Sequence, residues 1–199
     1  LAAFKNPEFY ARQAMRIATY ASSRIISCSE IIDGYLALPR GCEEALVEIL
    51  GNLCVKYSIT DKTNAGNPIK VSFNGELRFD QQMAVVALIS NRIGTLSAAT
   101  AFGKSVVAAN IIAQRKTNTL ILVHTKALME QWQSVLNKFL TIECDAPIDK
   151  PRRGRKRIWS PIGCVGSGKD RRSGLIDIAI MQSLMDGDSV KEWVRDYGM

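Results

Sequence analysis

The sequence predicts a mixed α/β chain in two parts: a small α+β module over residues 1–72, then a lobe with a mostly parallel sheet over 73–199. Three observations carry this expectation. From residue 79 onward, helical and strand patterns alternate, the signature of a sheet covered on both faces. The run Thr119-Leu120-Ile121-Leu122-Val123-His124 is apolar at consecutive positions, as a central parallel strand requires. Between the halves, residues 61–68 are polar and turn-rich, and Asn74-Gly75 ends the next apolar run.

The elements follow in order. Asn6-Pro7-Glu8 combines a side-chain cap, a proline suited to the first turn and an acid at the positive helix end, so a helix is expected over 7–20. Short strands are expected at 24–28 and 35–38, around the Asp33-Gly34 turn. Pro39-Arg40-Gly41 breaks the second, helical spacing resumes over 43–53, and alternation predicts strands at 55–60 and 69–73. In the second part the expected elements are helix 79–89, strand 95–98, helix 104–115, strand 119–124, helix 127–140 and strand 176–181, then loop and helix over 182–197.

The most specific motif is Ala98-Ala99-Thr100-Ala101-Phe102-Gly103-Lys104-Ser105. Its spacing is that of a P-loop, and it lies between an expected strand and an expected helix. Such a turn gathers backbone N–H groups and a positive helix end around one point, which suits a polyphosphate. The expected seat comprises Ala99, Thr100, Ala101, Phe102, Gly103, Lys104 and Ser105. Lys104 would reach the β- and γ-phosphates of ATP, and the Ser105 hydroxyl would ligate Mg²⁺. Both glycines usual before Gly103 are alanines, Ala98 and Ala101; either would cost about 1 kcal/mol if its position needs φ > 0. A second glycine–lysine match, from Gly163 to Gly168-Lys169, has Asp170 where a hydroxyl is needed and no apolar helix after it, so it is read as coincidence.

Composition narrows the classes. No apolar run approaches a membrane span, and the five cysteines are scattered without a C-x-x-C pair. That pattern predicts an intracellular, cytoplasmic chain with reduced thiols. A single histidine excludes a histidine metal cluster within one chain. Net charge is +7, yet residues 150–172 carry nine Lys or Arg against one Asp, so the rest sums to −1. This segment, with Arg152, Arg153, Arg155, Lys156 and Arg157, is a candidate phosphate-neutralising contact for nucleic acid. His124 reads as a satisfied, hydrogen-bonding histidine at the end of a buried strand rather than a general base, Trp132 as a packing residue, Trp159 as a strand-core residue despite its basic neighbours, and Asp177 as a lone acid on an apolar strand.

With these residues placed, the second part resembles the first RecA-like lobe of superfamily 2 helicases and translocases, nearest in flavour to the XPB-like and restriction-subunit-like DNA branch. Leu77-Arg78-Phe79-Asp80-Gln81 is similar to the "L-R-x-x-Q" segment of that family. The resemblance implies adenine recognition by Gln81, with Gln82 beside it as the neighbouring option. Ala98 to Ser105 resembles motif I. Leu122-Val123-His124-Thr125-Lys126, with Leu128 and Gln131-Trp132, resembles motif Ia and implies contacts from Thr125 and Lys126 to a nucleic-acid backbone. The run 176–184 resembles the strand and Q-S-L element that precedes the Walker B strand. Residues 24–27 and 35–41 resemble the small module ahead of some XPB-like lobes, implying duplex contact by Arg40 or Lys62 or a packing role.

The resemblance implies the ATP-binding portion of an ATP-dependent DNA helicase or translocase, binding DNA largely without sequence preference. No Asp-Glu-x-His or Asp-Glu-x-Asp box is present, so the parent is expected to be the ATPase and this chain to hydrolyse ATP hardly at all. The alternative is a non-catalytic nucleic-acid-binding fragment with a degenerate P-loop. A P-loop kinase is disfavoured because the motif Ia-like and Q-S-L elements would be accidental.

Overall fold

The structure is a computed structural model that describes residues 1–144, 159–187 and 189–199. It divides into two compact units, Leu1–Asp61 and Lys62–Met199.

In the first unit, β1 (Ala3–Lys5) pairs antiparallel with β2 (Ile25–Ser27). Helix α1 (Pro7–Ala14) begins as its cap predicts, with the Asn6 side chain accepting from the Glu8 amide at 3.0 Å. It is shorter than the expected 7–20. The Arg16 amide donates to Gln13 and the Ile17 amide to Arg12, with Arg16 at φ 55, which is a Schellman ending built on a non-glycine residue. Strands β3 (Glu30–Ile32) and β4 (Tyr35–Ala37) form a hairpin across Asp33 and Gly34, at φ 51 and 80. The turn was legible, but its partner strand is 30–32, while 25–27 pairs with the chain start. Helix α2 (Glu43–Asn52) closes the same way as α1, with Cys54 at φ 53. The expected strand over 55–60 does not form. No residue of this unit is fully buried, so hairpin and cap hydrogen bonds hold its local structure more than any core.

The second unit holds the core. Strand β5 (Lys70–Phe73) precedes α3 (Phe79–Ile89), α4 (Lys104–Arg115), β6 (Thr119–Val123), α5 (Lys126–Phe139) and β7 (Leu140–Glu143), which pairs antiparallel with β5. Then come β8 (Ile162–Gly166), β9 (Lys169–Arg171) and β10 (Ile176–Ile180). A 3-10 turn over Met181–Leu184, a small hairpin of β11 (Met185–Asp186) and β12 (Ser189–Val190), and a 3-10 turn over Glu192–Asp196 complete it. The loop and helix expected over 182–197 are thus replaced by two tight turns and a hairpin.

The main sheet has the order β6-β10-β8-β9, in which β6, β10 and β8 run parallel and β9 returns antiparallel. The expectation of a mostly parallel sheet agrees with this arrangement. Strand β10 lies between β6 and β8, and its apolar run is explained by burial on both faces. Ile112 of α4, Leu136 of α5, and Ile176 and Ile178 of β10 anchor one apolar cluster. Trp132 packs against it, as its spacing predicts.

The segment 95–98 is not a strand, contrary to expectation. A strand exists only where a neighbour accepts its ladder. On the edge of β6 opposite β10, the bonding partner among the described residues is Met199, whose amide donates to Asn118 and whose carbonyl accepts from Leu120. Leu96 instead packs against the Val85, Val107 and Ile111 cluster. The second glycine–lysine match resolves as the β8–β9 hairpin, with Ser167 and Gly168 at φ 53 and 74. No helix of the described residues is long and apolar enough to cross a membrane.

Candidate nucleotide and nucleic-acid site

The loop from Ala98 to Ser105 ends at Gly103, the N-cap of α4, at φ 90 and ψ 37. That left-handed conformation suits glycine. A Cβ here would also come within 2.6 Å of Gln81 Nε2, so a side chain would meet backbone strain and displace the Gln81 amide. Ala101 sits at φ 66, so one of the two alanine substitutions does occupy a left-handed position. Ala98 does not.

Two carbonyls organise the loop. Ala99 O accepts from the Phe102 amide at 3.3 Å and from Lys104 Nζ at 3.0 Å. Phe102 O accepts from Gln81 Nε2 at 2.8 Å and from an Arg78 guanidinium nitrogen at 2.7 Å. Gln81 is buried, and its other amide atom accepts from the Arg78 amide at 3.0 Å, capping α3. One side chain therefore ties the head of α3 to the loop that opens α4. Gln82 is exposed and donates to Leu77 O instead, so the structure brings Gln81, and not its neighbour, to the loop. Arg78, to which the sequence reading gave no role, spans this junction. Its guanidinium lies 5.8 Å from the Phe102 ring centre and 3.3 Å from the Asp80 carboxylate. The spacing that could have found it is a cap position with Gln three residues later.

At the head of α4 the first amides have no intrahelical acceptor by helix geometry, and they accompany the exposed Lys104 and the half-buried Ser105. Nothing but the Ala99 carbonyl engages the Lys104 ammonium among the described residues. This combination of orphan amides, a helix dipole and a cation can bind an anion. Among the described residues no group of three or more His, Cys, Asp or Glu could hold a metal. The donor set offered here is the Ser105 hydroxyl, which fits a Mg²⁺ held chiefly by nucleotide phosphates and water.

The other predicted contacts lie where β6 meets α5. Thr125 is the N-cap of α5, its hydroxyl accepting from the Leu128 amide at 3.3 Å. Lys126 is exposed and pairs with Glu130 at 3.4 Å. His124, expected as a hydrogen-bonded residue closing a buried strand, is exposed. Arg152, Arg153, Arg155, Lys156 and Arg157 lie outside the described residues.

Sequence reasoning missed a buried polar centre. Asp177, read as a lone acid, is fully buried and accepts from the Ser173 and Gly174 amides, each at 2.8 Å, from the Ser173 hydroxyl at 3.3 Å, and from the Tyr197 hydroxyl. Burial, the bond to Asp177 and its negative charge together push the Tyr197 phenol well above its usual range. Asn118, 1% exposed, binds the amides of Asn67 and Gly198 and the carbonyl of Asp196. Both residues clasp the chain around 196–198, so they support the fold rather than an open site.

Residues 74–189 match the family "Type III restriction enzyme, res subunit". The chain is also similar to a protein of Invertebrate iridescent virus 6 named "Putative helicase 161L", at 35% identity over 79 residues. That match takes in 38% of this chain and 18% of the viral protein's length. Since the matched segment spans more than half of the residues and contains the loop, Lys126 and β10, this chain belongs to the helicase-like family of type III restriction enzyme res subunits.

Proposed function

We propose that this chain is the ATP-binding portion of an ATP-dependent DNA helicase or translocase, built on a RecA-like lobe of the XPB-like or restriction-subunit-like branch. The single observation that carries the reading is the junction at Gly103, where a left-handed glycine, free helix amides, Lys104 and the buried Gln81 converge. In this reading Gln81 and Arg78 leave the Phe102 carbonyl, or share it, to meet the adenine edge. Lys104 exchanges the Ala99 carbonyl for the β- and γ-phosphates, and Ser105 supplies a Mg²⁺ ligand. Transfer of the γ-phosphoryl group to water, with ADP as the leaving group, would need carboxylates from outside this sequence and belongs to the parent protein. Nucleic acid is held by its phosphates through Thr125, Lys126 and the basic segment, without base-specific contact.

The test is binding of a fluorescent ATP analogue with Mg²⁺. Wild type should bind, and Lys104→Ala should lose at least tenfold in affinity. Equal binding by both proteins rejects the nucleotide site and leaves the non-catalytic nucleic-acid fragment as the reading.

A further inference from the structure

Asn74-Gly75 is the chain's only Asn-Gly pair, and it lies where β5 ends, beside the last residue of α5 and the start of β7. Two bonds hold it. The Asn74 backbone amide donates to Phe139 O at 2.7 Å, and the Asn74 side-chain amide donates to the Thr141 hydroxyl. Asn74 and Thr141 are both exposed, so water competes for the second bond. The glycine has a packing reason. Phe73 stacks on Phe139, with ring centres 5.8 Å apart and planes 10° off parallel. A Cβ at Gly75 would come within 2.8 Å of the Phe139 ring and part that stack. Among the described residues no acceptor engages the Gly75 N–H. Gly75 also lines an open pocket of about 550 Å³, with Glu76, Leu77, Gln82 and Asn110, so water reaches the turn.

We propose that Asn74 is a site of spontaneous deamidation whose isoaspartyl product loosens the closure of β5 on β7. The Gly75 nitrogen, its proton taken by hydroxide, attacks Asn74 Cγ. The new N–Cγ bond closes a succinimide ring, and the Cγ–Nδ2 bond breaks as ammonia leaves with a proton from water. Water then opens the ring at either carbonyl. Cleavage of N–Cγ gives aspartate, whereas cleavage between the Gly75 nitrogen and the Asn74 main-chain carbonyl gives isoaspartate. Water and hydroxide are the only co-reactants. Glycine hinders this attack least, having no Cβ beside its nitrogen and the freest backbone. The exposed Asn91 and Asn137 are followed instead by Arg92 and Lys138. Asn91 also donates to Ala87 O at 2.8 Å, and Asn137 lies within α5, where the helix ladder engages the next amide. The two products differ in consequence. Beside aspartate, the Thr141 hydroxyl can reverse and donate, so the closure survives. Isoaspartate routes the chain through the former side chain, which adds a backbone carbon and lifts Gly75 off the Phe139 ring.

The experiment is incubation of the folded chain in warm, mildly alkaline buffer, followed by peptide mapping with mass spectrometry. The peptide holding Asn74 should gain the mass of an NH₂-to-OH exchange at least tenfold faster than peptides holding Asn91 or Asn137. Its rate should also lie within tenfold of that in the urea-unfolded chain. Part of the product should accept a methyl group from an isoaspartyl-specific carboxyl methyltransferase. Asn74→Gln should abolish the reaction, because the longer side chain closes the ring poorly. Ion exchange separates the converted forms, with Asn74→Asp marking the aspartyl one. Asn74→Asp should keep the wild-type urea midpoint, and the isoaspartyl fraction should unfold at lower urea. An Asn74 peptide that changes in urea but not in the folded chain overturns the site, as does conversion no faster than at Asn91 or Asn137. Equal midpoints for the isoaspartyl and aspartyl forms overturn the effect on the closure.

Discussion

Replacing Gly103 by alanine tests the loop geometry quantitatively. The backbone there is at φ 90, and left-handed conformation costs an L-residue about 1–2 kcal/mol. The new Cβ would also sit 2.6 Å from Gln81 Nε2, a contact that cannot persist. Gln81 must then withdraw from Phe102 O, and a lost hydrogen bond at a buried amide costs about 1–3 kcal/mol. Gly103→Ala alone should therefore destabilise the second unit by roughly 2–5 kcal/mol. In a Gln81→Ala background the obstructing atom is gone, and the same substitution should cost only the backbone strain, about 1–2 kcal/mol. The double-mutant cycle should show a coupling of about 1–3 kcal/mol. Urea unfolding followed by tryptophan fluorescence measures it, because Trp132, Trp159 and Trp193 all belong to the second unit. Additive costs would refute the claimed approach of Gln81 to the loop.

Other perturbations follow from the buried polar centre and the strained positions. Asp177→Ala strands four donors in the interior and should cost about 3–5 kcal/mol by urea unfolding, whereas a loss under 1 kcal/mol would show the carboxylate to be dispensable. The Tyr197 phenol is raised in the folded state, so its contribution is complete below the unfolded value near 10 and is lost as pH rises toward the folded one. Stability should therefore decline above about pH 10, and Tyr197→Phe should flatten that decline in urea titrations. Burial, with the Asp177 charge adding and Arg171 opposing, pushes the Cys164 thiol up. Alkylation followed by mass spectrometry should label Cys164 more slowly than the exposed Cys28 and Cys54.

Much of the second unit was legible because its signals are local. The helix over 79–89 and the helix over 104–115 match their expected bounds, each having an apolar stripe that ends at a polar or charged residue. The turn at Asp33-Gly34 was visible in its residue types, but β3 was not, since Glu30-Ile31-Ile32 lacks the alternation of a half-buried strand and all three residues are exposed. Helix α1 was over-extended because Arg16 takes the left-handed role usually signalled by glycine. The strand at 95–98 failed for a non-local reason: its apolar pattern says nothing about which neighbour accepts its hydrogen bonds. The partners of Asp177 were hidden for a similar reason. A carboxylate on an apolar strand looks isolated until the Ser173-Gly174 turn and Tyr197 are brought to it by tertiary packing. Of the candidate site, the loop and Gln81 were found by spacing, whereas Arg78 emerged only once its neighbours could be seen.

The central claim is that backbone amides at the head of α4 hold a triphosphate. It is tested most directly by following backbone amide resonances as an ATP analogue and Mg²⁺ are titrated into the labelled chain. The amides of Gly103, Lys104 and Ser105 should shift most, with Gln81 side-chain resonances moving alongside them. Saturable shifts confined to other surfaces, with those three amides unmoved, would contradict it.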